Sequence, residues 1–210
     1  MIRIMIADDH AVVRNGLARI LEKTGEMKIV AEHNNGIDAL NWLRKNKCDL
    51  AILDISMSGM SGIDLLKQLQ KEKPKLPVLI LSIYAEDQYA VRLIKAGAAG
   101  YLTKGSAPAI IVEAVNCVVG GKKYISPKVA EMLVNEVSMP DGKLPHELLS
   151  DREFQILLLL GSAKTVVEIA GTLALSEKTI STYRARIMEK MHLRNSHELM
   201  HYTINKHLVE

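Results

Sequence analysis

Five short apolar runs recur through residues 1–120, each followed by an amphipathic segment, and this alternation leaves few folds open. The runs are Ile2–Ala7, Lys28–His33, Leu50–Asp54, Val78–Ser82 and Gly100–Thr103. Runs this short suit strands covered on both faces. Between them, Val12–Lys23 sets Val13, Leu17, Ile20 and Leu21 on one side of a helix. Ile37–Lys45, Ile63–Gln70, Asp87–Ala96 and Ala109–Val119 supply four more helical segments. Five βα units read as an α/β doubly wound five-stranded parallel sheet with helices on both faces. Gly36, Gly97 and Gly120 fall at element ends, where left-handed caps are expected.

In an open parallel sheet the binding crevice lies outside the carboxyl ends of the strands. There the sequence concentrates its polar residues. Asp8 and Asp9 follow the first run, Asp54 the third, and Lys104 the fifth, while Ser82 ends the fourth. Carboxylates brought together repel unless a cation sits among them, and hard oxygen donors suit Mg²⁺. The cluster therefore points to metal-assisted phosphoryl transfer, with one carboxylate available as nucleophile.

Composition narrows the partners. With aromatics at 4% the core must be aliphatic, and a net charge of +3 diagnoses no partner. Cys48 and Cys117 are too few for a disulfide framework or zinc ribbon and read as buried, reduced thiols. The apolar start is too short for a signal peptide, and no run is long enough to span a membrane. A cytoplasmic protein without membrane contact is expected.

After Gly120-Gly121 the alternation stops. Pro127–Val137 suits one short helix, and the breakers of Ser138–Lys143 suit a linker. The divisions expected are a domain over residues 1–121, a linker over 122–147, and a small all-α domain over 148–210. Within the last, Ser150–Glu153 and Thr165–Glu168 are capping boxes, and Ser176 can cap a third helix reaching about Met191. A short helix, a tight turn at Ala174–Ser176 and a longer helix make a helix-turn-helix. On the third helix Ile180, Tyr183, Ile187 and Met191 share the inward face. Lys178, Ser181, Thr182, Ala185, Arg186 and Glu189 fall outward, with Arg184 toward the apolar edge. Small polar side chains suit close approach to a major groove, and the flanking cations suit phosphates. Five basic residues between Lys178 and Arg194 concentrate that charge locally, because residues 148–210 as a whole are nearly neutral.

Both halves resemble two-component response regulators of the NarL/FixJ class, in which a CheY-like receiver is joined to a LuxR-type helix-turn-helix domain. The likeness rests on Ala7-Asp-Asp-His10, Leu53-Asp-Ile-Ser-Met57, Leu81-Ser82 and Ala96–Lys104 in the first half. In the second it rests on Leu149-Ser-Asp-Arg-Glu153, Glu168-Ile-Ala170 and Leu175–Ile180. The resemblance implies that Asp54 accepts a phosphoryl group from a sensor histidine kinase. It implies Mg²⁺ held by Asp8, Asp9, Asp54 and the Ser56 backbone carbonyl, with Lys104, Ser82 and Tyr101 as the phosphoryl-binding and switch residues. It implies a homodimer on promoter DNA after activation, RNA polymerase as a further partner, and Lys178, Thr179, Ser181, Thr182, Arg184, Ala185 and Arg186 at the DNA. Such a protein is no turnover enzyme, beyond Mg²⁺-dependent self-phosphorylation and slow dephosphorylation. A phosphatase reading lacks a second catalytic constellation in residues 121–210.

Several positions depart from the family pattern. Ser58 and Gly105 stand where prolines are usual, and Val166-Val167 where Asn-Lys is common. Ser181 and Tyr183 replace a frequent lysine and histidine, so a base preference does not carry over. The segment His197-Glu-Leu-Met-His201 matches the zinc-protease motif, with His207 at third-ligand spacing. Ile204, where that family breaks its helix with glycine, argues against it. A fourth helix with Leu199, Tyr202 and Ile204 packed or at a dimer contact is expected instead.

Overall fold

The computed structural model of the chain describes residues 1–138, 144–206, 208 and 209, the side chains of 135–138 excepted. Most of the linker expected at Ser138–Lys143 and the third-ligand candidate His207 lie outside these residues. The chain divides into two compact units, Met1–Asn135 and Glu136–Glu210.

In the first unit β1 (Ile2–Ala7), β2 (Met27–His33), β3 (Leu50–Leu53), β4 (Val78–Ser82) and β5 (Gly100–Thr103) form one parallel sheet. Its order is β2-β1-β3-β4-β5. The helices between are α1 (Ala11–Glu22), α2 (Gly36–Lys45), α3 (Gly62–Glu72), α4 (Glu86–Lys95) and α5 (Pro108–Val119). Ile4, Ile6, Leu50, Ile52, Leu79, Leu81 and Leu102 pack with Leu17 and Leu21 of α1 and Ile111, Val115 and Val118 of α5. Strand alternation sends Met5, Ala7, Ala51, Leu53 and Ile80 to the opposite face, and all are buried. Val13 and Ile20 lie partly buried against the first layer, as the helical spacing requires.

Two of the three glycines expected in left-handed caps serve otherwise. Gly97 does take φ 104°, but after α5 it is Gly121, at φ 80°, that turns the chain. Gly36 is needed for close approach: a Cβ there would sit 2.3 Å from the Met60 carbonyl oxygen. Cys48 and Cys117 are free and half-buried rather than fully buried, and burial pushes the Cys48 thiol up to about 11.

A further helix, α6 (Pro127–Ser138), follows α5. Its approach is tied to the first unit. Tyr124 N–H donates to the Ala99 carbonyl, Ser126 Oγ to Glu86 at 2.7 Å, and Lys128 pairs with Asp87 at 2.8 Å.

In the second unit a 3-10 turn spans Pro145–Leu148, across the boundary expected between linker and helical domain. Then come α7 (Asp151–Gly161), α8 (Val166–Leu173), α9 (Glu177–Lys190) and α10 (Ser196–Asn205). Ser150 and Thr165 form the two expected capping boxes, and Ser176 accepts from the Thr179 N–H. The core is Phe154, Leu157, Ile169, Leu173, Ile180, Ile187 and Leu199. On α10 Leu199 is buried as expected and is joined by Thr203, whereas Ile204 is half exposed. The reason is spacing: Leu199 and Thr203 are one turn apart, and a Cβ on Gly161 of α7 would lie 2.5 Å from Thr203 Oγ1. Among the described residues no helix is long and apolar enough to cross a membrane.

Candidate functional site

Three functional side chains sit on the first residue past a strand, and each is pinned by one more rung of the ladder. Asp8 N–H donates to the His33 carbonyl at 3.0 Å, Asp54 N–H to Ala7 at 2.8 Å, and Lys104 N–H to Ser82 at 2.7 Å. Strand order then sets what can meet. β1 and β3 are neighbours, so Asp8 and Asp54 stand one strand spacing apart, about 4.8 Å. Lys104 lies two strands from Asp54, about 10 Å, and only a long stem crosses that gap over Ser82. It does so: Nζ lies 2.8 Å from Asp8 Oδ2 and 3.2 Å from Asp54 Oδ2.

Asp8 and Asp54 are each only 2% exposed, and Lys104 is nearly buried. Burial pushes the Asp54 carboxyl up to about 6, Lys104 opposes that shift, and Asp8 adds to it. Asp54 Oδ1 is buried with no hydrogen-bond partner. The carboxylate therefore presents one oxygen to the ammonium and holds the other unsatisfied, an arrangement costly unless a ligand completes it. Asp8, Asp9, His10 and Asp54 each offer a ligand atom, all within 4.8 Å of one another. Three hard carboxylates with one orphaned oxygen fit a divalent cation such as Mg²⁺.

The expected switch residues are close by. Ser82 is fully buried, and its Oγ accepts from Tyr84 N–H at 3.3 Å. Tyr101 is buried and donates its hydroxyl to the Tyr84 carbonyl at 2.8 Å. Ser56 Oγ reaches Tyr84 Oη at 3.4 Å, so Tyr84, which the motifs do not mark, links the β3–α3 and β4–α4 loops. Arg14 lies outside the motifs, and His10, although it ends Ala7-Asp-Asp-His10, is given no role by them. Arg14 Nη1 donates to the Asp8 carbonyl at 2.7 Å, while its Nε lies 3.4 Å from Glu32. The signal for both was weak: an imidazole beside two aspartates, and a cation one helical turn further on. The Lys104–Gly105 peptide bond is trans.

The raised Asp54 carboxyl has a thermodynamic consequence. Its folded value of about 6 lies above the unfolded 3.8, so its stabilising share is full below pH 3.8 and lost as pH rises through 6. In metal-free buffer Asp54→Asn is expected to be more stable than wild type at neutral pH, by up to roughly 3 kcal/mol. The gain should vanish near pH 4. Melting curves of both proteins across this range check it, and an equal gain at both ends would contradict it.

In the second unit, Ala174 at φ 50° makes the left-handed turn between α8 and α9. Arg152 of α7 donates to the Leu173 carbonyl and so holds the end of α8. Lys190, at the far end of α9, lies 2.7 Å from the buried Glu153 carboxylate of α7. Burial acts to raise that carboxyl, but Lys190 and Ser150 outweigh it and hold it below its ordinary value. Lys178, Ser181, Thr182, Ala185 and Arg186 are exposed together on α9, as the spacing requires. Thr179 and Arg184 are half-buried beside them and make contacts within the unit. Thr179 Oγ1 lies 2.8 Å from Ser176 Oγ, and Arg184 donates to Ser196 Oγ at 2.5 Å. Two of the five basic residues counted in this stretch, Arg184 and Lys190, thus serve the unit's own packing. His197 and His201 are exposed on α10, and His201 contacts Asn205. Among the described residues they form no metal-ligand cluster.

Comparison with known proteins matches both units. A response regulator receiver domain model covers residues 4–116, and the model for bacterial regulatory proteins of the luxR family covers residues 147–203. The response regulator UvrY of Escherichia coli strain K12 is 35% identical over 97% of this chain and 94% of its own. The response regulator GacA of Pseudomonas viridiflava is 36% identical over 100% of this chain and 99% of its own. RcsB of Salmonella enterica serovar Typhimurium, solved bound to promoter rprA with phosphomimetic BeF₃⁻, matches with a TM-score of 0.64. It is 27% identical, over 96% of this chain and 98% of that one.

Proposed function

Because the chain belongs to the two-component response regulators that join a receiver to a LuxR-type DNA-binding domain, we propose that it is a transcription regulator switched by phosphorylation of Asp54. The observation that carries this reading is the buried, unpartnered Asp54 Oδ1 beside the Lys104 ammonium. Asp54 is the nucleophile: a carboxylate oxygen forms the new P–O bond as the P–N bond to a kinase phosphohistidine breaks. Mg²⁺, held by Asp8, Asp9, Asp54 and the Ser56 carbonyl, would supply neutralising charge at the phosphoryl oxygens. Lys104, already between Asp8 and Asp54, exchanges its carboxylate contact for the phosphoryl group. Ser82 donates to a phosphoryl oxygen, giving up its bond from Tyr84. Tyr101, bonded to the Tyr84 carbonyl, couples that loop to β5. The phosphoprotein is stoichiometric rather than a turnover enzyme, acts in the cytoplasm, and dimerises on promoter DNA, where RNA polymerase is a further partner.

At the DNA, α9 lies in the major groove with Ser181, Thr182 and Ala185 toward the bases and Lys178 and Arg186 on phosphates. Lys178→Ala or Arg186→Ala is expected to weaken binding to every sequence and shallow the salt dependence by about one phosphate contact. Thr182→Ala should cost about 1 kcal/mol at one or two base pairs with the salt slope unchanged. Titrations of specific and scrambled duplexes over a salt range separate the two classes. Wild-type behaviour of all three variants would remove α9 from the groove.

A further inference from the structure

We propose that the amino end of the sheet carries a second binding site, a cationic groove that takes a polyphosphate anion, free or borne on a nucleoside. The groove has a volume of about 1050 Å³ and lies wholly within the first unit. Asp49, in its lining, precedes β3 and Asp54 follows it. The groove therefore stands roughly 16 Å from the phosphoacceptor, at the other end of the strands. Six cationic side chains line it, Arg3, Lys47, Lys73, Lys75, Lys122 and Lys123, against the single carboxylate of Asp49 among the described residues. They come from four segments far apart in sequence: the start of β1, the loops before β3 and β4, and the turn after α5.

Three of these cations serve the fold itself. Arg3 pairs with Asp49, Nη2 lying 3.0 Å from Oδ1. Lys73 Nζ donates to the Leu43 carbonyl and, at 3.0 Å, to the Asn46 carbonyl, at the end of α2. Lys123 Nζ reaches the Ile94 carbonyl at 3.5 Å, at the end of α4. Cations at helix C-termini answer the helix dipole, and that accounts for Lys73 and Lys123. It does not account for Lys47, Lys75 and Lys122. All three are exposed, and among the described residues their side chains make no hydrogen bond or ion pair. The ends of α2, α3, α4 and α5 gather at the groove and bring roughly half a negative charge each. With Asp49 they offset about half of the six cations, leaving an excess of about three positive charges. A recess lined by one sign of charge focuses the field on a multivalent anion. Leu43, Leu76, Pro77 and Val119 add apolar lining, which suits a base or sugar beside a phosphate chain. Ligand pockets of roughly 300–1,000 Å³ hold small molecules, whereas a rigid duplex cannot enter such a recess.

The test uses the full chain in metal-free buffer, where the carboxylates of Asp8, Asp9 and Asp54 repel anions. Inorganic tripolyphosphate and ATP are the probes, titrated by calorimetry at low and at moderate salt. Wild type is expected to bind tripolyphosphate, less tightly as salt rises. The triple variant Lys47→Gln, Lys75→Gln and Lys122→Gln removes the three unpaired ammoniums and should weaken that binding about tenfold or more. The same number of charges removed from the helical domain, in Lys178→Gln, Arg186→Gln and Arg194→Gln, should leave it within about twofold. Tighter binding of ATP than of tripolyphosphate supports the site with a nucleoside-borne ligand, and equal or weaker binding supports it with free polyphosphate. Wild type that binds neither probe at about 1 mM overturns the proposal. So does an equal loss in the two triple variants, or a groove variant that loses duplex DNA rather than tripolyphosphate.

Discussion

Asp54→Asn is expected to abolish Mg²⁺-dependent labelling by acetyl phosphate, by about a hundredfold or more, with the sheet unchanged. The substitution keeps size and shape but replaces the nucleophilic oxygen pair with an amide. Its backbone anchor survives, since Asp54 holds the sheet through its N–H and not its side chain. Lys104 keeps Asp8 as a partner at 2.8 Å, so no buried cation is left alone. Labelling is read by intact-protein mass, and its site by peptide mapping. Undiminished label on another aspartate would sink the assignment.

Gly62→Ala should damage the protein through backbone sterics. A Cβ at Gly62 would lie 1.9 Å from the Asp54 carbonyl oxygen and 2.8 Å from its carbonyl carbon. These are main-chain atoms, one of them bonded into the loop that carries the phosphoacceptor. The Gly62 N–H also donates to the Ile55 carbonyl at 3.0 Å, which keeps the two segments pressed together. Alanine is the better helix former at the start of α3, by roughly 1 kcal/mol over glycine. The clash wins, because relief requires moving α3 or the end of β3. A loss of about 2–4 kcal/mol is expected by urea unfolding, with labelling slowed in the fraction that remains folded. Gly16→Ala in α1 is the control: nothing lies within 4 Å of its Cβ position, so it should be neutral or stabilising. A Gly62→Ala protein as stable as wild type would show that the loop yields at little cost.

Much of the fold is legible because apolar periodicity and caps are local signals. β1, β4 and β5 fall where their apolar runs do, and Ser150, Thr165 and Ser176 cap the helices they precede. The pocket residues are legible because each sits at a strand end. What escaped depends on contacts between distant segments. Nothing in the sequence pairs Lys190 with Glu153, or Arg184 with Ser196, so their charges read as free for a partner. Gly36 reads as a cap until Met60 is seen against it. Tyr84 looks like any loop tyrosine until Tyr101 and Ser56 meet it. Of the two places open to Ile204 in the sequence, packed or at a dimer contact, the first is not taken within the chain, because the close approach of Gly161 selects Thr203 instead.

The ladder rungs that pin Asp8, Asp54 and Lys104 also fix when the site comes into being. The three residues lie about 50 positions apart, and parallel pairing across such separations is entropically costly before it is rewarded. A growing chain that has produced β1 and β3 holds two aspartates at adjacent strand ends but not the ammonium that pairs with both. Burying them would then be opposed by their mutual repulsion. The last of the five strands to be synthesised brings Lys104, the counter-charge that lets the carboxylates be enclosed. The complete pocket therefore needs all five strands, and a receiver cut before β5 would keep the two aspartates without the ammonium that pairs with both.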